Sequence, residues 1–103
     1  VNCDKVIKDG KVAVLYSPQY GAGWYSWNTE TVELLFDADI VNSVLVGDLE
    51  KAANIAKTKY DIYTGGACSL EVKWLPQGTA FIIDEYDGYE SIQIVGEIEY
   101  IVA

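Results

Sequence analysis

The chain has no histidine and no arginine, and its seven basic residues are all lysine. Without histidine, the commonest general acid and base is missing, and a cysteine nucleophile would lack its usual imidazole partner. Zinc sites built from cysteine and histidine are excluded in the same way. Without arginine, the side chain that grips phosphate or carboxylate with two parallel bonds is missing. There are only two cysteines, Cys3 and Cys68, far apart and in no metal-type pair. Two reduced thiols in a cytoplasmic protein is the simplest reading, although a bridge would form if the amino-terminal segment lay beside residue 68. No apolar run approaches the ~18 residues of a membrane span. Val1 to Gly10 is polar and mixed, so no signal peptide is visible, and a start at Val is compatible with a cleaved one.

Sixteen acids against seven lysines give a net charge of −9. Such a chain repels a phosphate backbone, which argues against direct binding of DNA or RNA. It suits a protein partner with a basic surface, or a site that normally receives nucleic acid. Solubility alone would also account for the charge. Hydrophobic residues are 50% of the 103, enough for one globular domain over 1–103 with its own core.

The most biased stretch is Tyr16 to Asn28, which holds two of the three tryptophans and reads as a long aromatic loop. Before it, Asp9-Gly10 is a hairpin turn and Lys11 to Tyr16 a strand with little alternation, hence covered on both faces. After it, Asn28 or Thr29 is a natural helix N-cap, with Glu30 and Glu33 in the first turn and Leu34, Leu35 and Phe36 as apolar face. Asp37 or Asp39 caps a second helix, ended by Gly47. Asp48 caps a third over Leu49 to Tyr60, whose Leu49, Ala52, Ala53, Ala56 and Tyr60 form one face. Thr64-Gly65-Gly66 is a break.

The remainder is β. Leu70 to Leu75 alternates, with Leu70, Val72 and Trp74 on one face. Asp87-Gly88 joins two strands in a tight hairpin. That turn pairs Tyr86 with Tyr89, Glu85 with Glu90, Asp84 with Ser91, Ile83 with Ile92 and Phe81 with Ile94. Glu97 to Val102 makes a last, edge strand. Helical and β segments are segregated, which predicts an α+β fold: a mostly antiparallel sheet with two or three helices packed on one face.

Two candidate sites emerge. In the loop, Tyr20, Trp24, Tyr25, Trp27 and Asn28 are satellite core, an anchor for a protein partner, or a platform for a planar ligand bonded by Asn28 and Ser17. On the hairpin, Glu85, Asp87 and Glu90 form a carboxylate cluster: a solvated tip, a dock for a basic partner, or a weak calcium site. Gly21-Ala22-Gly23 ahead of a helix has the look of a phosphate cradle but fits neither nucleotide-binding glycine pattern. No catalytic residue, metal site or cofactor is expected.

Two motifs carry a resemblance. They are Tyr-Ser-Pro-x-x-Gly-Ala-Gly-Trp-x-x-Trp-Asn (Tyr16 to Asn28) and Leu-Pro-x-Gly-Thr-x-Phe-x-Ile-x-Glu-Tyr-Asp-Gly-x-Glu-Ser-Ile (Leu75 to Ile92). Together they resemble a group of small phage and prophage proteins. The resemblance implies an accessory viral role in the host cytoplasm and carries over no catalytic or binding residues. The leading expectation is a non-catalytic interaction protein that docks on a host or viral protein. A specific version has it inhibit a nucleic-acid-handling or defence complex, with carboxylates in phosphate positions. The rival is a small-ligand binder using the aromatic loop. Homo-oligomerisation stays open, since the strand at Glu97 to Val102 offers an edge whose glutamates also discourage pairing.

Overall fold

A computed structural model describes residues 5–20 and 23–95. Asp9 and Gly10 both take positive φ, 54° and 75°. The two-residue turn they form joins β1 (Ile7–Lys8) to β2 (Lys11–Tyr16). A left-handed pair matches the natural twist of hairpin strands, and Asp-Gly tolerates it best. β2 is the central strand of an antiparallel sheet in the order β1-β2-β3, with β3 at Glu71–Pro76. Its register runs from Lys11 opposite Pro76 to Tyr16 opposite Glu71.

The unbroken apolar run of β2 has a direct cause. Val12 to Leu15 are all buried, because each face of the sheet is covered by a different layer. Ala13 and Leu15 join Leu34, Ile40, Val41, Ala52, Ala56 and Leu70 on the helix side, with Val72 and Trp74 packed against them. Val14 and Leu75 face the other way, towards Leu35, Phe81, Ile83, Ile92 and Ile94.

The helix layer holds α1 (Ala38–Leu45) and α2 (Leu49–Tyr60). Asp37 caps α1 by accepting from the N–H groups of Asp39 and Ile40. Asp48 caps α2 through the N–H of Lys51, and α2 ends on Asp61 in the left-handed region. Ala52 and Ala56 are fully buried, so α2 lies close against its neighbours. Asp37 also ties the two helices together. Its buried carboxylate accepts from Lys59 Nζ at 2.9 Å and from the Tyr60 hydroxyl. Burial raises the Asp37 carboxyl, but the hydrogen bonds from Tyr60, Lys59 and the Ile40 amide, with the Lys59 charge, outweigh it and hold it below the ordinary aspartate value.

The remaining layer is a two-stranded sheet of β4 (Phe81–Tyr86) and β5 (Tyr89–Ile94). Its register is the expected one, with Tyr86 opposite Tyr89 and Phe81 opposite Ile94. Asp87 and Gly88 again supply the left-handed turn. Among the described residues the fold is therefore α+β and antiparallel, with the strands in two sheets and the two α-helices on one face of the three-stranded one.

One expected helix is absent. Residues 25–36 instead hold short 3-10 turns at Tyr25–Trp27 and Val32–Leu35. Asn28 is unavailable as a cap, because its side-chain oxygen accepts from the Tyr63 N–H while its NH₂ donates to the carbonyls of Trp24 and Tyr63. Adjacent Leu34 and Leu35 also enter opposite core layers, which a tight irregular turn permits. Cys3 and the strand expected at Glu97 to Val102 lie outside the described residues, while Cys68 is exposed. Among the described residues, no helix is long and apolar enough to cross a membrane.

Candidate functional site

The aromatic loop is organised by a carboxylate that comes from the hairpin. Glu90 is completely buried. Its Oε1 accepts from the N–H of Ser17 at 2.9 Å. Its Oε2 accepts from the N–H of Trp24 at 2.9 Å, the N–H of Ser26 at 2.8 Å and the Ser26 hydroxyl at 2.6 Å. The backbone closes the clasp, since the Glu90 N–H donates to the Ser17 carbonyl at 3.0 Å. Inward-facing amides of this kind make a concave anion site. The donors belong to Ser17, Trp24 and Ser26, and the anion they receive is the chain's own Glu90.

The clasp corrects the expected hairpin cluster. Glu90 has no surface to offer a partner or a cation. Its cross-strand neighbour Glu85 is exposed but turns one oxygen onto the N–H of Gly88, closing the turn. Asp87 is exposed at the tip. Among the described residues, no three acids or cysteines converge in a way that would hold a metal ion.

The loop residues divide between core and surface. Trp24 is 0% exposed and donates its indole N–H to the Leu34 carbonyl at 2.8 Å. Tyr25 is half-buried and packs against both core layers. Asn28 holds the segment after α2 by exchanging bonds with the backbone of Tyr63 in both directions. Trp24 and Tyr25 thus follow the satellite-core reading of the loop, and Asn28 uses its amide within the fold. Tyr20 and Trp27 are the loop rings that reach solvent, 64% and 57% exposed.

Each exposed loop ring meets others. Tyr20 packs edge-on to Tyr86, centroids 6.2 Å apart, and tilts against Tyr89 at 5.0 Å. Trp27 stacks on Tyr63 at 5.6 Å. Tyr63 was not legible as a site residue; its only mark in the sequence is an aromatic ring two positions before Gly65-Gly66. Those glycines, with Gly23, make the close packing possible. A Cβ on Gly23 would overlap the Trp27 ring, and one on Gly66 would overlap the Gly23 carbonyl.

Beside the tyrosines lies an open cleft of about 330 Å³, lined by Tyr16, Glu71, Lys73, Tyr89 and Ser91 among others. Burial, followed by the Glu71 carboxylate and Tyr89, pushes the Tyr16 phenol above its ordinary value. Comparison with protein-family models, with curated proteins and with solved structures finds no match.

Proposed function

We propose that this protein is a non-catalytic interaction module that docks on another protein through its exposed rings. The observation that carries the reading is the pair of ring clusters, Tyr20–Tyr86–Tyr89 and Trp27–Tyr63, held at the surface by a fully bonded scaffold. Exposed tyrosine and tryptophan on a rigid support are the usual anchors of protein interfaces. Beneath them, the clasp on Glu90 ties Ser17, Trp24 and Ser26 to the hairpin. In the phage setting that the sequence motifs suggest, the partner is a host or viral protein in the host cytoplasm.

The finer version, inhibition of a nucleic-acid-handling or defence complex by acidic mimicry, now draws on Glu85, Asp87 and Asp84, without Glu90. The small-ligand reading loses ground, since Trp24 is sealed in the core and Tyr25 packs against it.

The test is affinity capture from lysate of the natural host, comparing the wild type with a Trp27→Ser/Tyr86→Ser double variant. A protein retained by the wild type and lost by the variant supports docking through the rings. Equal capture by both, or no capture, removes the reading. Alanine at Glu85 and Asp87 tests the acidic version separately.

A further inference from the structure

We infer that the Tyr20–Tyr86–Tyr89 surface receives arginine side chains of a partner protein. The inference rests on the docking function above and names the chemistry that this part of the surface recognises.

Tyr86 and Tyr89 are directly opposed across the β4-β5 hairpin, so their side chains leave the same, outer face. The alternation that buries Phe81, Ile83, Ile92 and Ile94 puts Ile82, Asp84 and Tyr86 outside. Tyr20 reaches across from the loop and packs on both tyrosines. Tyr86 remains 75% exposed, which leaves a ring face open to solvent.

The hairpin that carries Tyr86 and Tyr89 has no basic residue of its own, only carboxylates. Asp84 shares the outer face with Tyr86, and Asp87 stands exposed at the tip, while Glu85 lies on the opposite face and accepts from the Gly88 N–H. No lysine occurs from residue 12 to 50 or from 74 to 95, the stretches that build the loop and the hairpin. Lys73 lines the cleft beside Tyr89, together with Glu71. An apolar partner would bury this rim with its carboxylates unpaired, at a cost in desolvation. A cation satisfies both features at once: the negative faces of the rings attract it, and the carboxylates accept its hydrogen bonds.

Arginine fits better than lysine. Its planar guanidinium lies flat on a ring while its edge donors reach the carboxylates, and it sheds water more easily than an ammonium. The chain has no arginine of its own to compete for the surface.

The probe is a short synthetic peptide with arginines spaced by glycine and serine, with lysine and citrulline counterparts. Binding to the full chain is followed by the aromatic NMR signals. The arginine peptide is expected to move the ring signals of Tyr20, Tyr86 and Tyr89. The citrulline peptide, alike in shape but uncharged, should bind at least about tenfold more weakly. Tyr86→Leu, which keeps an apolar side chain but removes the ring, should weaken the arginine peptide by about three- to fivefold, while Tyr86→Phe should not. Equal binding of the citrulline peptide, no effect of Tyr86→Leu, or no movement of these ring signals overturns the inference. Should host-protein capture still depend on Trp27 and Tyr86 in that case, docking stands and arginine recognition alone falls.

Discussion

Ser17 and Glu90 hold each other in both directions across 73 residues of sequence. The Ser17 N–H donates to the Glu90 carboxylate, and the Glu90 N–H donates to the Ser17 carbonyl. Ser17 adds a third tie, from its hydroxyl to the Gly66 carbonyl at 2.9 Å. One residue at the end of β2 thus joins the hairpin, the loop and the turn after α2. The rings on these segments, Tyr20, Tyr63, Tyr86 and Tyr89, share a common support for that reason.

The two loop tryptophans should behave oppositely. Trp24 is sealed in the core and Trp27 is more than half exposed. Acrylamide quenching of single Trp→Phe variants should therefore find Trp27 readily quenched and Trp24 protected. Trp24→Ala should cost about 3–5 kcal/mol, and Trp27→Ala less than about 1 kcal/mol, by urea unfolding. Similar quenching of both would contradict the division of the loop into core and surface.

Gly23→Ala should destabilise by about 2 kcal/mol, from backbone strain and displacement of the indole. Gly23 sits at φ 107°, and the added methyl would overlap Trp27. The same variant should increase the quenching of Trp27 as its ring leaves the Tyr63 stack. An unchanged urea midpoint would show that Gly23 is not under this constraint.

Asp37 should contribute to the acid limb of stability. Its folded-state pKa lies below its unfolded value. The stabilisation is therefore complete above the ordinary aspartate range and is lost as pH falls through the folded-state value. Lys59, raised by its hydrogen bonds to Asp37 and Asp39, acts in the mirror sense: its contribution fades as pH rises through its elevated folded value. Asp37→Asn should lower stability by about 1–2 kcal/mol at neutral pH. The gap from the wild type should narrow in urea titrations only as pH falls below the ordinary aspartate range. A gap constant with pH would contradict the assignment.

Local chemistry made much of the fold legible. The Asp-Gly turns set two hairpins in register, aspartates marked both helix starts, and the unbroken run in β2 announced a strand covered on both faces. What stayed hidden depends on contacts distant in sequence. Glu90 looked like a surface acid at a hairpin tip because its four donors lie 64 to 73 residues away. Asn28 looked like a helix cap because its partner, the backbone of Tyr63, is 35 residues on. The glycine-rich loop fits neither nucleotide-binding pattern, and nothing local showed that Ser17, Trp24 and Ser26 hold a carboxylate. Alternation within one strand cannot reveal that a polar side chain past the end of the apolar face is met by another segment's amides.

The central claim is that Glu90 is the internal anion on which the aromatic loop is built. Urea unfolding of Glu90→Gln against Glu85→Gln tests it most directly. In Glu90→Gln, the new NH₂ group must face an N–H donor, leaving buried donors unpaired. A loss of about 3 kcal/mol is expected, with the urea midpoint lowered by about 2 M. Glu85→Gln keeps an oxygen for the Gly88 N–H and should shift stability by less than about 0.5 kcal/mol. Equal, small shifts for both variants would contradict the account, because Glu90 would then be one more surface acid.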